Sequence, residues 1–453
     1  MDMVMLTCTS EEIAMKQGTN TPGLAHFVSQ DYSGITRGRG FPQQRLEGYL
    51  RKGVCWTPAN LGINMFGSIV ENEWGAQGDI LMMPDPATKV FVDNGTAVTP
   101  LHYYHCDFLN LDGSPWDACP RSFLKRQIDT LASMGIKVIA AFEHEFMLTD
   151  IANPAPPFSL EASRTEESLC SEIVDALRQA GVDPEMCLPE YAQRQFEVTC
   201  SPVEALQAAD RAINVREVVR EICRQNGRKV SFSPMVTGNS GTNGVHVHVS
   251  LWSTAGEPLT YDPTRPGQLS EVASQFTTGM LEHMAALTAL TAPGVVSYQR
   301  LRPNSWSAAY ACIGQQNREA SLRIAPVSNV NADAAAKQAN IEFRAADALS
   351  SPYLVLGALL AAGIDGIQRS LVMPELVAVN PCLIPKDEHS RFGLKALPGS
   401  LGDSLKELEN DAYLKAAMGT SLLSCYRAVK QSEIHETAGK DDFAIRDMYS
   451  AVY

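Results

Sequence analysis

Gly244-Val-His-Val-His-Val-Ser-Leu-Trp252 decides the fold, because Val245, Val247, Val249 and Leu251 alternate with His246, His248 and Ser250. A period of two puts each set on its own face of a strand, one apolar and one polar. Three other stretches repeat the arrangement: Ile136 to Met147 carries Glu143 and Glu145, Gln195 to Val198 carries Gln195 and Glu197 with Glu190 upstream, and Asn340 to Ala345 carries Glu342 and Arg344. Together they predict a curved sheet with one apolar face and one face that lines a polar, solvent-filled funnel.

Clustered carboxylates repel one another, and each costs several kcal/mol to bury unpaired. Glu143, Glu145, Glu190, Glu197 and Glu342 with His246 therefore call for cations, and an oxygen-rich set selects hard Mg²⁺ or Mn²⁺ over zinc. A second set is basic. Arg300 and Arg302 lie in Ser297-Tyr-Gln-Arg-Leu-Arg-Pro-Asn304, and Arg318 and Arg323 in Asn317-Arg-Glu-Ala-Ser-Leu-Arg-Ile324. Arginine forks suit carboxylate and phosphate, so arginines beside a metal cluster point to an anionic substrate and phosphoryl chemistry. Taken singly, each feature also fits a bland surface role; the joint pattern is what carries the reading. No GxxxxGK[ST] loop or dinucleotide fingerprint is present, and the Gly-rich run Gly238 to Gly244 leads into a strand instead of a helix.

The chain has 453 residues, 45% hydrophobic and 19% charged, as an ordinary folded protein of two or three domains does. Lys and Arg total 37 against 51 Asp and Glu, a formal charge of −14, which argues against nucleic acid or an anionic membrane as partner. Eleven cysteines without a CxxC pair predict reduced thiols and a cytoplasmic location. Met1 to Ile13 lacks the features of a secretory signal, and the apolar Tyr353 to Ile364 is too short for a bilayer, which needs about 20 residues.

Residues 20 to 115 read as a small sheet domain with runs at Ala25 to Val28, Ile80 to Met83 and Lys89 to Val92 and a turn at Asp93-Asn94-Gly95. We place its boundary at 1–115, with a catalytic domain at 116–453. Helices are expected at Arg121 to Met134, after a capping box at Ser163-Arg-Thr-Glu166, and at Pro202 to Arg224, Leu269 to Leu290, Pro352 to Ser370 and Leu401 to Leu414; Asn153 to Pro157 reads as a loop.

In order, these segments resemble the glutamine synthetase family over nearly the whole chain: Gly34-Ile-Thr-Arg-Gly-Arg39, Gly78-Asp-Ile-Leu-Met-Met-Pro-Asp85, Phe142-Glu-His-Glu-Phe146, Glu190-Tyr-Ala-Gln-Arg-Gln-Phe-Glu197, Gly244-Val-His-Val-His248, Arg300-Leu-Arg-Pro303, Asn317-Arg-Glu-Ala-Ser-Leu-Arg323 and Glu342-Phe-Arg344. The resemblance implies an α+β chain, an N-terminal β-grasp domain before a curved antiparallel sheet flanked by helices, assembled as homo-oligomeric rings with active sites between subunits. It implies Glu145, Glu190 and Glu197 as ligands of one metal and Glu143, His246 and Glu342 of the other. His248 and Ser250 would face ATP, Arg300 and Arg344 would bind glutamate together with Gly241 and Gly244, and Arg318 and Arg323 would contact phosphate. The reaction implied is ATP-dependent phosphorylation of the glutamate γ-carboxylate followed by attack of an amine.

The departures set the substrate. Ammonia-using members carry a glutamate six residues after the arginine matching Arg300; here it is Trp306, and the interval to Arg318 is kept. Their subunit-bridging aspartate falls in Asn64-Met-Phe-Gly-Ser68, placed at Met65. A hydrated ammonium needs charge, whereas a Trp/Met cavity favours apolar groups: about 100 Å² of buried hydrocarbon is worth ~2.5 kcal/mol. This predicts a ligase of the γ-glutamylamide branch, resembling γ-glutamylanilide or γ-glutamylisopropylamide synthetases, acting on an arylamine or short alkylamine, with a lean to the arylamine because it arrives neutral. The alternatives are an ammonia-using glutamine synthetase, a polyamine ligase, and a non-catalytic structural or nitrogen-sensing relative. Gly241-Thr-Asn-Gly244 departs from the family's glutamate loop, Arg194 replaces a usual glycine, and Lys395 stands where some members carry a modifiable tyrosine.

Overall fold

A computed structural model describes residues 23–95, 99–151, 155–236, 241–328 and 332–453. Met1 to Ile13, part of the proline loop after Ile151, and residues 238–240 lie outside the described residues. Six strands, β1 (Leu24–Gln30), β2 (Thr36–Pro42), β3 (Val54–Trp56), β4 (Ile80–Pro84), β5 (Val90–Val92) and β6 (Leu101–Leu109), form the first sheet in the order β2-β1-β6-β4-β3, with β5 also on β6. β1 runs parallel to β6 and the other pairs are antiparallel. The glycine- and arginine-rich β2 has no apolar alternation and becomes a strand by pairing with β1 along its whole length. Asp93 accepts the Gly95 N–H at 3.1 Å, as expected for the turn there.

The second sheet contains β7 (Ile136–Leu148), β8 (Pro184–Pro189), β9 (Gln195–Cys200), β10 (Val203–Glu204), β11 (Val230–Ser231), β12 (Val245–Ser253), β13 (Tyr310–Gln315), β14 (Ala320–Ile324), β15 (Ile341–Phe343) and β16 (Lys395–Ala396). Its order is β16-β13-β14-β15-β12-β7-β9-β8, with β10 and β11 also on β7. All pairs are antiparallel but β13/β14, which run parallel. Long helices cover one face. Pro352–Gln368, buried almost throughout, is the apolar segment recognised in the sequence. It packs so tightly that a Cβ on Gly363 would come within 2.1 Å of the Phe276 ring. No helix among the described residues is long and apolar enough to cross a membrane.

Three helix boundaries differ from expectation. Ser163 lies inside the short helix Leu160–Thr165, and Ser159 caps it by accepting the Ala162 N–H at 3.0 Å. Glu166 instead takes the Arg228 guanidinium at 2.6 Å, so the Ser163 capping box does not form. The stretches Leu269 to Leu290 and Leu401 to Leu414 are each broken, at His283 and at Asp411. The two breaks meet. His283 Nδ1 lies 2.5 Å from Asp411 and Nε2 lies 2.9 Å from Asp365, so a charge bridge between helices replaces two continuous helices.

Burial pulls the His283 pKa down, but Asp411 and Asp365 outweigh it and hold it above the ordinary value. A raised histidine stabilises fully below its unfolded pKa of about 6.5, and the stabilisation is lost as pH rises through the folded value. His283→Gln should therefore lower the thermal midpoint more at about pH 6 than at about pH 9. An equal loss at both would show that the ring is not charged.

Candidate active site

Strand register gathers the polar residues. His246 lies opposite Glu143 on β7, His248 opposite Glu342 on β15, Glu145 opposite Glu197 on β9, and Arg323 on β14 opposite Glu342. Residues up to 199 positions apart thus share one face, as the period-two reading required. The interleaved His144 points to the helix-covered face beside Phe142 and Phe232; burial, with Arg216 and Arg220 nearby, pushes it down to about 3, a neutral core histidine.

Two donor groups form: Glu143 with Glu197 and His246, and Glu143 with His248 and Glu342, the donor atoms of each lying within 4.8 Å of one another. His248 Nε2 is 3.1 Å and His246 Nδ1 3.4 Å from Glu143, while His248 Nδ1 lies 2.8 Å from Asn340. This grouping cuts across the expected split. Glu145 accepts from Gln195 Nε2 at 2.7 Å and from the Gly244 N–H at 2.8 Å, and Glu190 accepts its neighbour Tyr191 N–H at 3.0 Å. Both carboxylates edge the cluster, and His248 enters it.

Electrostatics follow from crowding. Burial, with Glu143, Glu145, Glu190 and Glu342 around it, pushes Glu197 up to about 9. Burial and Glu145 raise Glu190, partly relieved by the Tyr191 N–H and Arg318. For Glu143 burial is opposed by His246 and His248, which hold it well below the carboxylate range. Burial opposes, but Glu143 prevails, in pushing His248 up to about 9.

Arg344, 3% exposed, ties the site together: Nη1 grips Glu342, Nε donates to Arg318 O at 3.0 Å, and Nη2 donates to Trp306 O at 2.9 Å. Arg323 Nη1 donates to Glu342 at 2.6 Å. Arg300, 2% exposed, donates to the carbonyls of Ala346 and Arg344 at 3.1 and 3.3 Å. Gly244 lies beneath it, where a Cβ would come within 2.4 Å of Arg300 Nη2; close approach is the reason for this glycine. A Cβ on Gly241 would collide with Ala192 Cβ at 1.9 Å. Arg194 sits at φ +69°, the backbone region a glycine would occupy freely. Ser250, on the His248 face, accepts from Trp252 Nε1 at 2.9 Å. Arg318 is exposed at the rim, and Arg302 turns outward to Asp442 at 3.8 Å.

The Met65 assignment is corrected. Met65 is 5% exposed, packed in its own chain with Val296, Leu349 and Tyr449, and a side chain so enclosed is not offered to a neighbour. Asn64 caps the turn by accepting the N–H groups of Phe66 and Ser68 at 2.9 Å each; Phe66 lies half-buried at the edge of the same cluster, its ring 6.2 Å from that of Tyr449, and Ile69 is exposed. Three contributors escaped sequence reasoning: Asn340, Tyr191 and Glu319, the last accepting the Trp306 N–H at 3.2 Å. Each sits at a strand end or turn, where no periodicity marks it.

Residues 12–116 match the glutamine synthetase N-terminal domain, and residues 117–448 the glutamine synthetase catalytic domain. The chain belongs to the glutamine synthetase family. It is an ATP-dependent glutamate–amine ligase, and the family depends on ATP and a divalent metal. The ligase is 32% identical over 451 residues to the γ-glutamylpolyamine synthetase of Streptomyces coelicolor, covering 96% of this chain and 94% of the relative. It is 31% identical to the glutamine synthetase of Pyrococcus abyssi, over 88% of both chains. A crystal structure of a novel glutamine synthase homolog superposes with a TM-score of 0.88 at 45% identity, covering 95% of this chain and 98% of that one. GmaS bound to ADP shares the fold, with a TM-score of 0.79 at 24% identity and 95% and 96% coverage.

The ligase's residues fit the expected groups. An all-oxygen and imidazole set whose carboxylates raise one another's pKa suits a hard divalent ion. The buried Nε atoms of Arg300 and Arg323 make no hydrogen bond within the protein, which leaves donors for anions. Since crowding pushes Glu197, and Glu143 pushes His248, up to about 9 in the metal-free site, binding of Mg²⁺ at neutral pH should release protons and tighten as pH rises toward that value. Calorimetry in two buffers of different ionisation enthalpy reads this directly. Identical heats would show that no proton leaves.

Proposed function

We propose that this ligase joins the γ-carboxylate of glutamate to a primary amine bearing an apolar group, through γ-glutamyl phosphate. Trp306 carries the reading: it stands, 59% exposed, where ammonia users resembling this chain place a glutamate, with its carbonyl held by Arg344.

Glu143, Glu145, Glu190, Glu197, His246 and Glu342 would hold the metals, and His248, 3.1 Å from Glu143, would face ATP. Bound Mg²⁺ or Mn²⁺ supplies charge neutralisation at the phosphate oxygens. Arg300, buried and paired only to carbonyls, takes a carboxylate of glutamate in a bidentate fork, and Arg344 flanks it. Arg323 and Arg318 meet the transferred phosphoryl group. Glu190, at the rim of the cluster, takes the proton of the attacking amine. Trp306 excludes water around the amine carbon.

ADP release with glutamate, ATP and Mg²⁺ across ammonia, ethylamine, isopropylamine, putrescine and aniline tests this. Trp306→Glu should move preference toward ammonia by about two powers of ten. Met65→Asp would instead place a carboxylate in packed core. Comparable wild-type efficiency with ammonia would sink the proposal.

The polyamine-named relative and the Glu319 carboxylate beside Trp306 favour a second reading, an amine with a distal ammonium. Preference for putrescine over ethylamine would select it.

A further inference from the structure

The Glu190 rim and the Trp306 loop meet through one contact that the roles above leave unused. The rings of Tyr191 and Trp306 lie 6.1 Å apart, tilted by 35°, and both are exposed, 67% and 59%. Two large aromatic faces left open to water beside charged groups need a reason.

Both are held in place by their backbones. The Tyr191 N–H is tied to the Glu190 carboxylate, and the Trp306 N–H and carbonyl to Glu319 and Arg344. Trp306 adopts φ +51°, with Asn304 and Ala308 also left-handed at +62° and +65°. A bulky residue is strained there, and such strain persists where the surroundings over-determine it. The loop is thereby shaped to bring the indole to Tyr191.

We propose that Tyr191 is a specificity-determining residue, forming with Trp306 a tilted aromatic wedge that receives the hydrocarbon of an aliphatic primary amine while the nitrogen reaches Glu190. This rests on the amine-ligase reading above and narrows its substrate class. An aryl ring inserted between two faces needs them about 7 Å apart and nearly parallel, two van der Waals contacts of ~3.5 Å. A wedge closed to 6.1 Å at 35° admits no group between its faces, so hydrocarbon lies along its open side, and there an alkylammonium gains from the π faces before deprotonation where a neutral arylamine does not.

The test is full steady-state kinetics of the holoenzyme with butylamine, aniline and ammonia for wild type, Tyr191→Ala and Tyr191→Phe. Wild type should prefer butylamine to aniline. Tyr191→Ala should lower the butylamine-to-ammonia ratio of kcat/KM about tenfold, chiefly through KM for butylamine, and Tyr191→Phe should restore it to within about twofold. A ratio unchanged by Tyr191→Ala, or a wild-type preference for aniline, overturns the wedge while leaving an amine ligase standing. Comparable wild-type efficiency with ammonia overturns the underlying reading and the wedge with it.

Discussion

Arg344→Ala is expected to lower kcat/KM for ATP-dependent amide formation by about three powers of ten, with the fold retained. One guanidinium holds Glu342, the Arg318 carbonyl and the Trp306 carbonyl, so its removal disturbs together the three places proposed above for the metal, the phosphate and the amine. Bonds to charged groups are worth about 1.5–3 kcal/mol each, and roughly 4 kcal/mol of that must be expressed in the transition state to give this loss. Arg344→Lys should rescue little, because a point charge cannot serve three acceptors set by a planar fork. Glu342 supplies an independent readout. Burial raises its pKa, but Arg344, followed by His246, His248 and Arg323, overcomes this and sets it at about 2. Without Arg344 it should rise, and Mg²⁺ affinity should weaken further in mildly acid buffer than in wild type. Near-normal turnover with unchanged Mg²⁺ binding would refute this role.

Arg121→Ala should cost about 3–5 kcal/mol and lower the thermal midpoint by roughly 5 °C. Arg121 is 1% exposed and donates to Asp210 at 2.8 and 3.1 Å, to Asp107 at 3.2 Å and to Asp85 at 3.0 Å, joining the first sheet to the helix Ala205–Gln225. Tyr353 OH also donates to Asp210 at 2.6 Å, and His105 and Tyr103 both reach Asn214 at 2.8 Å. Removing the cation leaves Asp210 buried with only neutral donors and the histidine, which is more costly than never having built the pair. Arg121→Ala with Asp210→Asn should recover part of the loss in a thermal melt. No difference from wild type would mean that water replaces the guanidinium at no cost.

The site was legible to the extent that its chemistry is written at period two. Glu143, Glu145, His246, His248, Glu197 and Glu342 all announce their shared face locally, since alternation along a strand needs no knowledge of the partner strand. Which donors converge was not legible. Glu145 looked equivalent to Glu143, but the register sets it opposite Glu197 and beside Gly244, where its Oε2 accepts from Gln195 Nε2 and a backbone N–H. Met65 and Phe66 are adjacent in the chain, and only the Asn64-capped turn brings both onto the Tyr449 cluster, Met65 enclosed and Phe66 half-buried at its edge.

By itself the sequence determined the α+β class, the polar face of the main sheet and the family, and it supplied the proposal that Trp306 stands in place of a flap glutamate. These depend on residue identity and short-range spacing. Tertiary structure decided the helix breaks at His283 and Asp411, the grouping of donors around Glu143, the inward turn of Met65 and the meeting of Tyr191 with Trp306. Each of those is a contact between segments far apart in the chain. Strand register and side-chain packing set them, and local periodicity carries no information about either.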